Sequence, residues 1–299
     1  MDKIFASKPG RKRFIFLISI LLLLLLLVRF YMLPIESFSD KINETIISFL
    51  EKFITSVFTA VIVGYFLYWI IGDEKKKQLE FTESSYEIEK HLSNSRLKTE
   101  RWLFNGGLGR YTKSDTIPKL SERASKERQT ITVHLIVINP FNISLIQKYI
   151  NFRVSVETPS KKAYWTELEV QSEILATIVT ALFYKKQNQF LDISVKIKDF
   201  FTLSRMDISS SLAVITREDP AIPSIIVEKD SYLYRHYSEE FQQVYRQSKT
   251  LDYVFSGIGA PTKNEIQLCI QSLFPFESIN SLLLEAVYSK FEKPKNPFA

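Results

Sequence analysis

The amino-terminal part of the chain contains the apolar runs FIFLISILLLLLLLVRFYMLPI at residues 14–35 and ITSVFTAVIVGYFLYWII at residues 54–71. A hydrocarbon core of roughly 30 Å is crossed by about 20 helical residues, so each run has the length and composition of a transmembrane helix. Arg29 lies near one end of the first run, where its long side chain can reach the interface. The sequence therefore predicts two N-terminal transmembrane helices, which form a helical membrane hairpin over residues 1–72.

Charged residues around the two runs predict their orientation. The basic residues are Lys3, Lys8, Arg11, Lys12 and Arg13 before the first run and Lys75, Lys76 and Lys77 after the second. The short connection Glu36–Glu44 has Lys41 against three acids. Because lysine and arginine are enriched on the cytoplasmic side, we expect a multi-pass protein of the cell inner membrane, with the N- and C-termini cytoplasmic and the lipid bilayer as a partner.

Two alternatives to this membrane prediction exist. A cleaved signal peptide is one interpretation of the first run, but the residues that follow Val28, Arg29-Phe30-Tyr31-Met32, contain no small-residue cleavage site. A buried hairpin of a soluble protein is the other. The basic clusters that flank the two runs favour the membrane over both.

The overall composition favours some classes of protein over others and does not exclude a nucleic-acid partner. The formal net charge is +6 over 299 residues, and no stripe of basic and aromatic residues indicates a nucleic-acid surface. The single cysteine, Cys269, excludes an intramolecular disulfide and fits a reducing compartment. One cysteine and three scattered histidines have no zinc-binding spacing. We expect no metal and no cofactor.

Beyond residue 72, strand-like segments alternate with helix-like ones. The clearest strand is Gln129–Ile138, which is apolar on both faces and is typical of a strand inside a sheet that is covered on both sides. Further strands are predicted at Arg101–Phe104, Phe190–Ile197, Ser210–Thr216 and Ser224–Glu228. The pattern predicts a cytosolic α/β three-layer domain at 99–250. A juxtamembrane helix is predicted at 73–98 and a helical C-terminal extension at 251–299.

A glycine cluster follows the first of these strands. Three of the eight glycines of the chain fall within Asn105–Gly109, and such a cluster can turn several backbone N–H groups toward an anion. The predicted ligand-binding residues are Gly106, Gly107, Gly109, Arg110 and Lys113, and the predicted ligand carries a phosphate. The alternative is a strained turn that places Arg110 for structural reasons, since the segment is neither Gly-x-Gly-x-x-Gly nor a P-loop.

The same segment carries a resemblance to a known family. Residues 102–120 contain Gly-Leu-Gly-Arg-Tyr and then Thr-Ile-Pro-x-Leu, and the strand Ile131–Ile138 with Asn139-Pro140 follows. In these motifs the chain resembles the phospholipase D-like α/β domain, and more narrowly the inactive-looking versions in bacterial antiphage proteins. With the N-terminal apolar runs, residues 14–250 resemble the transmembrane effector of a retron defence system.

The catalytic signature of the phospholipase D family, His-x-Lys-x-x-x-x-Asp, is missing from the sequence. The histidines are His91, His134 and His236, and the residues two positions further on are Ser93, Ile136 and Ser238. No Gly-x-Ser-x-Gly nucleophile motif is present either. We therefore predict no catalytic residue and expect that the protein is not an enzyme.

The resemblance implies a membrane effector that permeabilises the inner membrane when it is released and so causes abortive infection. The implied partner is a reverse transcriptase with its RNA–DNA hybrid. Because two helices cannot enclose a pore, the active form is expected to be a homo-oligomer. Two alternatives stay open: an effector gated by a nucleotide bound at Gly106–Arg110, and a membrane-tethered phosphodiesterase-like enzyme.

Overall fold

The computed structural model describes residues 40–70, 79–82, 84–157, 164–219, 222–257 and 259–296, together with residues 16, 19, 20, 23–28 and 31. The chain divides into two compact units, Met1–Lys76 and Lys77–Ala299. The boundary between them lies close to the predicted boundary at residue 72. The second unit includes residues 77–98 of the predicted juxtamembrane segment, the α/β domain and the C-terminal extension together.

The first unit contains helix α1 (Asp40–Ile70), which is 31 residues long. Within it, the segment Asp40–Val63 contains an 18-residue window with a mean hydropathy of 1.9, none of which is buried. This is the one helix in the described part of the chain that is long and apolar enough to cross a membrane. Large apolar side chains such as Phe49 and Phe58 are exposed along it.

The predicted fold class, a membrane protein with two N-terminal transmembrane helices, is therefore wrong, and a multi-pass location is not supported. The connection Glu36–Glu44 is not a turn between two spans, because α1 begins inside it at Asp40, an acidic residue that suits the first turn of a helix. The helix continues through Glu51 and Lys52 without a break. Most of the first predicted span, residues 14–35, lies outside the described residues.

The second unit contains a mixed sheet of eight strands within the described residues. The strands are β1 (Leu79–Thr82), β2 (Arg101–Asn105), β3 (Ile131–Ile138), β4 (Leu191–Lys198), β5 (Ser204–Ile208), β6 (Leu212–Arg217), β7 (Ser224–Glu228) and β8 (Lys249–Leu251). Their order in the sheet is β1-β7-β6-β5-β2-β3-β4-β8. Strands β2, β3 and β4 run parallel to one another, and the remaining pairs are antiparallel.

Helices pack on both faces of this sheet. They are α2 (Ser85–Arg96), α3 (Ile117–Glu127), α4 (Ile143–Val156), α5 (Glu167–Gln187), α6 (Tyr232–Gln247), α7 (Lys263–Leu273) and α8 (Ser281–Glu292). On one face, Leu103, Ile136 and Met206 form an apolar cluster with Phe241 of α6. The larger cluster on the opposite face joins the sheet to the other helices. Burial of this apolar area is the main source of stability in such a fold.

Local sequence explains where several helices begin. Asn142, Thr166, Ser231 and Thr262 precede α4, α5, α6 and α7, and the side-chain oxygen of each accepts a hydrogen bond from a backbone N–H in the first turn. Thr262 and Glu265 complete a reciprocal capping box. Such caps satisfy N–H groups that have no partner within the helix.

The structure differs from the prediction in the segments on either side of the central strands. Residues 73–98 are predicted as one helix, but strand β1 at the sheet edge is followed by the shorter α2. The predicted extension 251–299 packs against α5, where Lys290 Nζ lies 2.6 Å from Glu169 Oε1. Strand β5 is not predicted, because the charged residues Arg205 and Asp207 alternate with its apolar residues. In the structure these two side chains form an ion pair.

Candidate functional site

The glycine-rich loop follows the carboxyl end of β2, next to the carboxyl ends of β3 and β4. Gly106 N donates a hydrogen bond to Ile136 O at 3.1 Å, and Ile138 N donates to Gly107 O at 3.2 Å. These bonds extend the pairing of β2 and β3 beyond the last residue of β2. In α/β sheets, ligands commonly bind outside the carboxyl ends of parallel strands, so the loop occupies a position suited to a binding site.

Close packing accounts for two of the glycines in this loop. A Cβ at Gly107 would lie 3.0 Å from the ring of Tyr149. Gly109 has a φ of +73°, which disfavours other residues, and its Cβ would lie 2.7 Å from Thr177 Cγ2. Thr177 in turn donates its hydroxyl hydrogen to Leu108 O at 2.8 Å. The loop is therefore fixed against α4 and α5 by contacts that leave no room for a side chain.

Arg110 is the half-buried residue of the predicted set. Its guanidinium carbon lies 5.9 Å from the ring centre of Tyr164 and 5.5 Å from that of Trp165, within the range of a cation–π contact. Burial disfavours its charge, but Tyr164, Tyr149 and Glu173 outweigh burial and raise the pKa of Arg110. The guanidinium is thus held charged beside two aromatic rings.

Lys113 forms a buried ion pair. Its side chain lies in a π-helical turn, Thr112–Thr116, and only 1% of the residue is exposed. Lys113 Nζ lies 2.7 Å from Glu173 Oε2, and Lys290 Nζ lies 3.3 Å from Glu173 Oε1. Burial lowers the pKa of Lys113 more than Glu173 raises it. Burial would raise the pKa of Glu173, but the neighbouring cations together lower it.

The five predicted ligand-binding residues therefore have different surroundings within one segment. Gly106, Gly107 and Gly109 are buried, Lys113 is paired with Glu173, and Arg110 is half-buried beside aromatic rings. Binding of a phosphate-bearing ligand at this loop stays a prediction. The alternative, a strained turn that places Arg110 for structural reasons, also stays a prediction, and the positive φ of Gly109 is consistent with it.

A buried lysine at the same edge of the sheet was not predicted. Lys198 ends β4, is 2% exposed, and donates to Asn105 Oδ1 at 2.6 Å and to Thr202 Oγ1 at 3.4 Å. Burial lowers the pKa of Lys198 to about 8, against the opposing effect of Glu218 and Glu240. An amine with this pKa can exchange a proton near neutral pH.

The sequence contains only a weak signal for this lysine. Asp192, Ser194, Lys196 and Lys198 occupy alternate positions of β4, opposite an apolar face, and this alternation predicts a solvent-facing side. In the structure, α6 covers part of that side, where Tyr245 donates its hydroxyl hydrogen to Ser194 Oγ at 2.7 Å. A strand lysine covered by a helix looks the same in sequence as one that faces water.

A second polar group lies beneath the glycine loop. Tyr149 donates its hydroxyl hydrogen to Glu218 Oε2 at 3.1 Å, and Arg153 Nη1 donates to the same oxygen at 2.9 Å. The Arg153 guanidinium also lies 4.3 Å from the ring centre of Trp165. Burial, reinforced by Glu218, raises the pKa of Tyr149 well above its usual value, so this tyrosine stays protonated and donates a hydrogen bond.

Within the described residues, no group of three or more histidine, cysteine, aspartate or glutamate side chains is arranged to hold a metal ion. No protein-family model and no curated protein matches the chain. Among solved structures, the chain is similar to TrmBL2, an archaeal chromatin protein whose structure shows a novel mode of DNA binding. The identity is 10%, over 70% of this chain and 68% of that one, with a TM-score of 0.35. A similarity of this degree identifies neither the fold nor the function.

Proposed function

We propose that the chain is a non-enzymatic membrane effector of bacterial antiphage defence, anchored in the inner membrane through α1. The observation that carries this proposal is the unburied apolar window within Asp40–Val63. Aromatic side chains such as Phe49, Phe53 and Phe58 would be exposed to water along this helix. Apolar surface gains about 25 cal/mol per Å² when it leaves water, so a bilayer provides a favourable environment for α1.

Charge and cysteine content support a cytoplasmic position for the second unit. Lys75, Lys76 and Lys77 follow α1 in the sequence, whereas Asp40 and Glu44 lie at its beginning. Lysine after a membrane-spanning helix favours retention of that end in the cytoplasm. The single cysteine, Cys269, is buried as a free thiol, which suits a reducing compartment.

The resemblance to retron effectors supplies the biological part of this proposal. The α/β unit would be held by a reverse transcriptase with its RNA–DNA hybrid and released during phage infection. The α1 helix of one chain encloses no pore by itself, so permeabilisation requires several copies of α1 to assemble. The active form would therefore be a homo-oligomer, and the outcome would be abortive infection.

The test is membrane potential and dye entry in cells that express the full chain, alone and beside its neighbouring genes, before and after phage challenge. The test variant is Phe58→Arg with Ile62→Arg, which places two charges on one side of α1. Each arginine at the centre of a spanning helix costs about 2.5 kcal/mol or more. We expect the protein to leave the membrane fraction and depolarisation to disappear.

The matched control is Leu268→Arg with Leu282→Arg, which introduces the same charges at two exposed leucines of α7 and α8. This control should keep both membrane attachment and depolarisation. If the α1 variant still depolarises cells as strongly as the unchanged chain, α1 is not the toxic element. If no form of the protein alters the membrane, the effector proposal is wrong.

A second candidate function is an effector gated by a nucleotide at the glycine loop. The observation that favours it is the charged, half-buried Arg110 beside the parallel-strand ends of the sheet. A guanidinium binds phosphate oxygens in a bidentate manner. Equilibrium dialysis of labelled ATP against the full chain tests this candidate. Arg110→Ala should abolish binding and Arg217→Ala, at an exposed arginine of β6, should not; retained binding in Arg110→Ala would exclude the loop.

A further inference from the structure

A separate cavity of about 240 Å³ lies between α6 and the amino end of β2. Its lining residues are Arg101, Leu103, Arg235, Ser238, Glu239, Gln242, Gln243 and Arg246. Arg101 is the first residue of β2, whereas the glycine loop follows the last residue, Asn105. The cavity and the loop are therefore at opposite ends of one strand, and no residue belongs to both.

The spacing of residues along α6 explains how one helix supplies most of this lining. Arg235, Ser238, Gln242 and Arg246 recur at intervals of three or four positions, so they lie along one stripe of the helix. Phe241 of the same helix is fully buried against the sheet. The polar stripe borders this buried contact, where the helix meets the sheet surface near Leu103.

The charges in the cavity are not balanced. Arg235 Nε lies 2.8 Å from Glu239 Oε1, so these two side chains neutralise each other. Neither Arg101 nor Arg246 has an acidic partner within the part of the chain that the structure describes. A concave surface thus carries two uncompensated guanidinium groups, which attract an anion.

The neutral groups of the cavity fit the same type of ligand. Ser238 Oγ is buried and has no hydrogen-bond partner among the described residues. A buried polar atom without a partner is unfavourable, and a ligand oxygen would remove that penalty. The amides of Gln242 and Gln243 supply further donors. Each of these groups can donate a hydrogen bond to an anion.

We propose that this cavity binds the phosphate group of a ligand, through Arg101 and Arg246 with Ser238 as an additional donor. The volume is smaller than the roughly 300–1,000 Å³ of drug-sized sites, so it suits a phosphate or pyrophosphate group and not a whole nucleotide. The group belongs either to a soluble phosphate compound or to an anionic lipid headgroup. The site is distinct from the glycine loop and does not depend on the proposed effector function.

The test uses the full chain in nanodiscs of phosphatidylcholine, with labelled inorganic pyrophosphate as the probe. The variants are Arg101→Gln, Arg246→Gln and the pair together. Each guanidinium makes charge-assisted hydrogen bonds, so each substitution should weaken binding about tenfold, and the pair should abolish it. Ser238→Asp, which adds a negative charge inside the cavity, should also abolish binding. Arg101 and Arg246 are exposed, so the arginine variants should fold.

The control is the pair Lys126→Gln and Lys148→Gln, which removes the same charge at exposed positions of α3 and α4. The control should bind pyrophosphate as tightly as the unchanged chain. An equal loss of binding in the control and the cavity variants would show non-specific attraction and overturn the proposal.

A second arm distinguishes the two sources of phosphate. Nanodiscs with and without phosphatidylglycerol are compared by hydrogen–deuterium exchange of the α6 amides. Slower exchange with phosphatidylglycerol, lost in the Arg101→Gln, Arg246→Gln pair, supports a lipid headgroup. Pyrophosphate binding without an effect of lipid supports a soluble ligand. If neither probe distinguishes the cavity variants from the unchanged chain, the cavity is not a phosphate site.

Discussion

The two ends of strand β2 place basic residues in opposite settings. At the carboxyl end, the conspicuous glycine loop is tightly packed and its Lys113 is paired with Glu173. At the amino end, the cavity beside α6 has an ordinary sequence, yet Arg101 and Arg246 have no acidic partner among the described residues. The glycine loop shows that a conspicuous motif can reflect packing. The unpaired arginines of the cavity show that a charged concave surface depends on contacts that the sequence does not show.

The contrast between the two ends of β2 is tested most directly by replacing the buried Lys113. Lys113→Met leaves Glu173 with Lys290 as its remaining close cation, and loss of one member of a buried ion pair costs about 3–5 kcal/mol. We expect the free energy of unfolding, measured by denaturant titration of the full chain in detergent, to fall by about 4 kcal/mol.

The double variant Lys113→Met with Glu173→Met is the control for this prediction. Because it removes both charges, it should recover a large part of the lost stability. A small effect of Lys113→Met, within about 0.5 kcal/mol, would be typical of a surface residue. Lys113 would then be available to a ligand, and the contrast between the two ends of β2 would be lost.

A second prediction concerns Lys198, beside the glycine loop. Its pKa is about 8 in the folded protein against an ordinary value of 10.5, so between these pH values the unfolded chain binds a proton that the folded chain does not. Stability therefore rises with pH across this window, by about 3 kcal/mol at most. Below pH 8 both states are protonated and the full penalty of the buried charge remains.

The measurement is the free energy of unfolding from pH 7 to pH 11 for the unchanged chain and for Lys198→Met. The difference between the two isolates Lys198 from the tyrosines whose raised pKa values also affect this range. The increase should be absent in Lys198→Met. An equal increase in both proteins would show that the pKa of Lys198 is ordinary.

The third prediction separates backbone conformation from packing in the loop. Gly109→Ala should lower the free energy of unfolding by about 2 kcal/mol, because a positive φ and a close contact with Thr177 both oppose a Cβ. The matched control is Gly109→Ala in a Thr177→Ser background, which keeps the φ of +73° and removes the Thr177 Cγ2 that the new Cβ would meet at 2.7 Å. If Gly109→Ala has the same effect in both backgrounds, packing against Thr177 does not restrict the loop.

The sequence predicts some strands of this fold better than others, and the side chains of each strand explain the difference. Strand β3 is apolar on both faces and is predictable within two residues, as is β7. Strand β5 is hidden, because Arg205 and Asp207 are side chains that ordinarily indicate an exposed surface. The predicted number of membrane helices is also wrong. The composition of an apolar run shows that it could lie in a bilayer, but it does not show where a helix begins.

The candidate sites also differ in how far the sequence identifies them. The sequence identifies the glycine loop, because three glycines in four positions are rare in this chain. It does not identify Lys198 or the α6 cavity, since their properties arise from residues distant in sequence. Arg101 and Arg246 are 145 positions apart, and only the packing of α6 near β2 brings them to one cavity. Burial and charge balance are therefore the quantities that the structure adds.

The smallest expected effect tests the amino end of β2 directly. Arg101→Gln with Arg246→Gln removes two like charges from one cavity and no ion pair among the described residues. The free energy of unfolding should change by less than about 0.5 kcal/mol and should not fall. Denaturant titration without phosphate measures this change. A loss as large as that expected for Lys113→Met would show that these arginines stabilise the fold. The two ends of β2 would then be alike, because the basic residues at both ends would stabilise the folded protein.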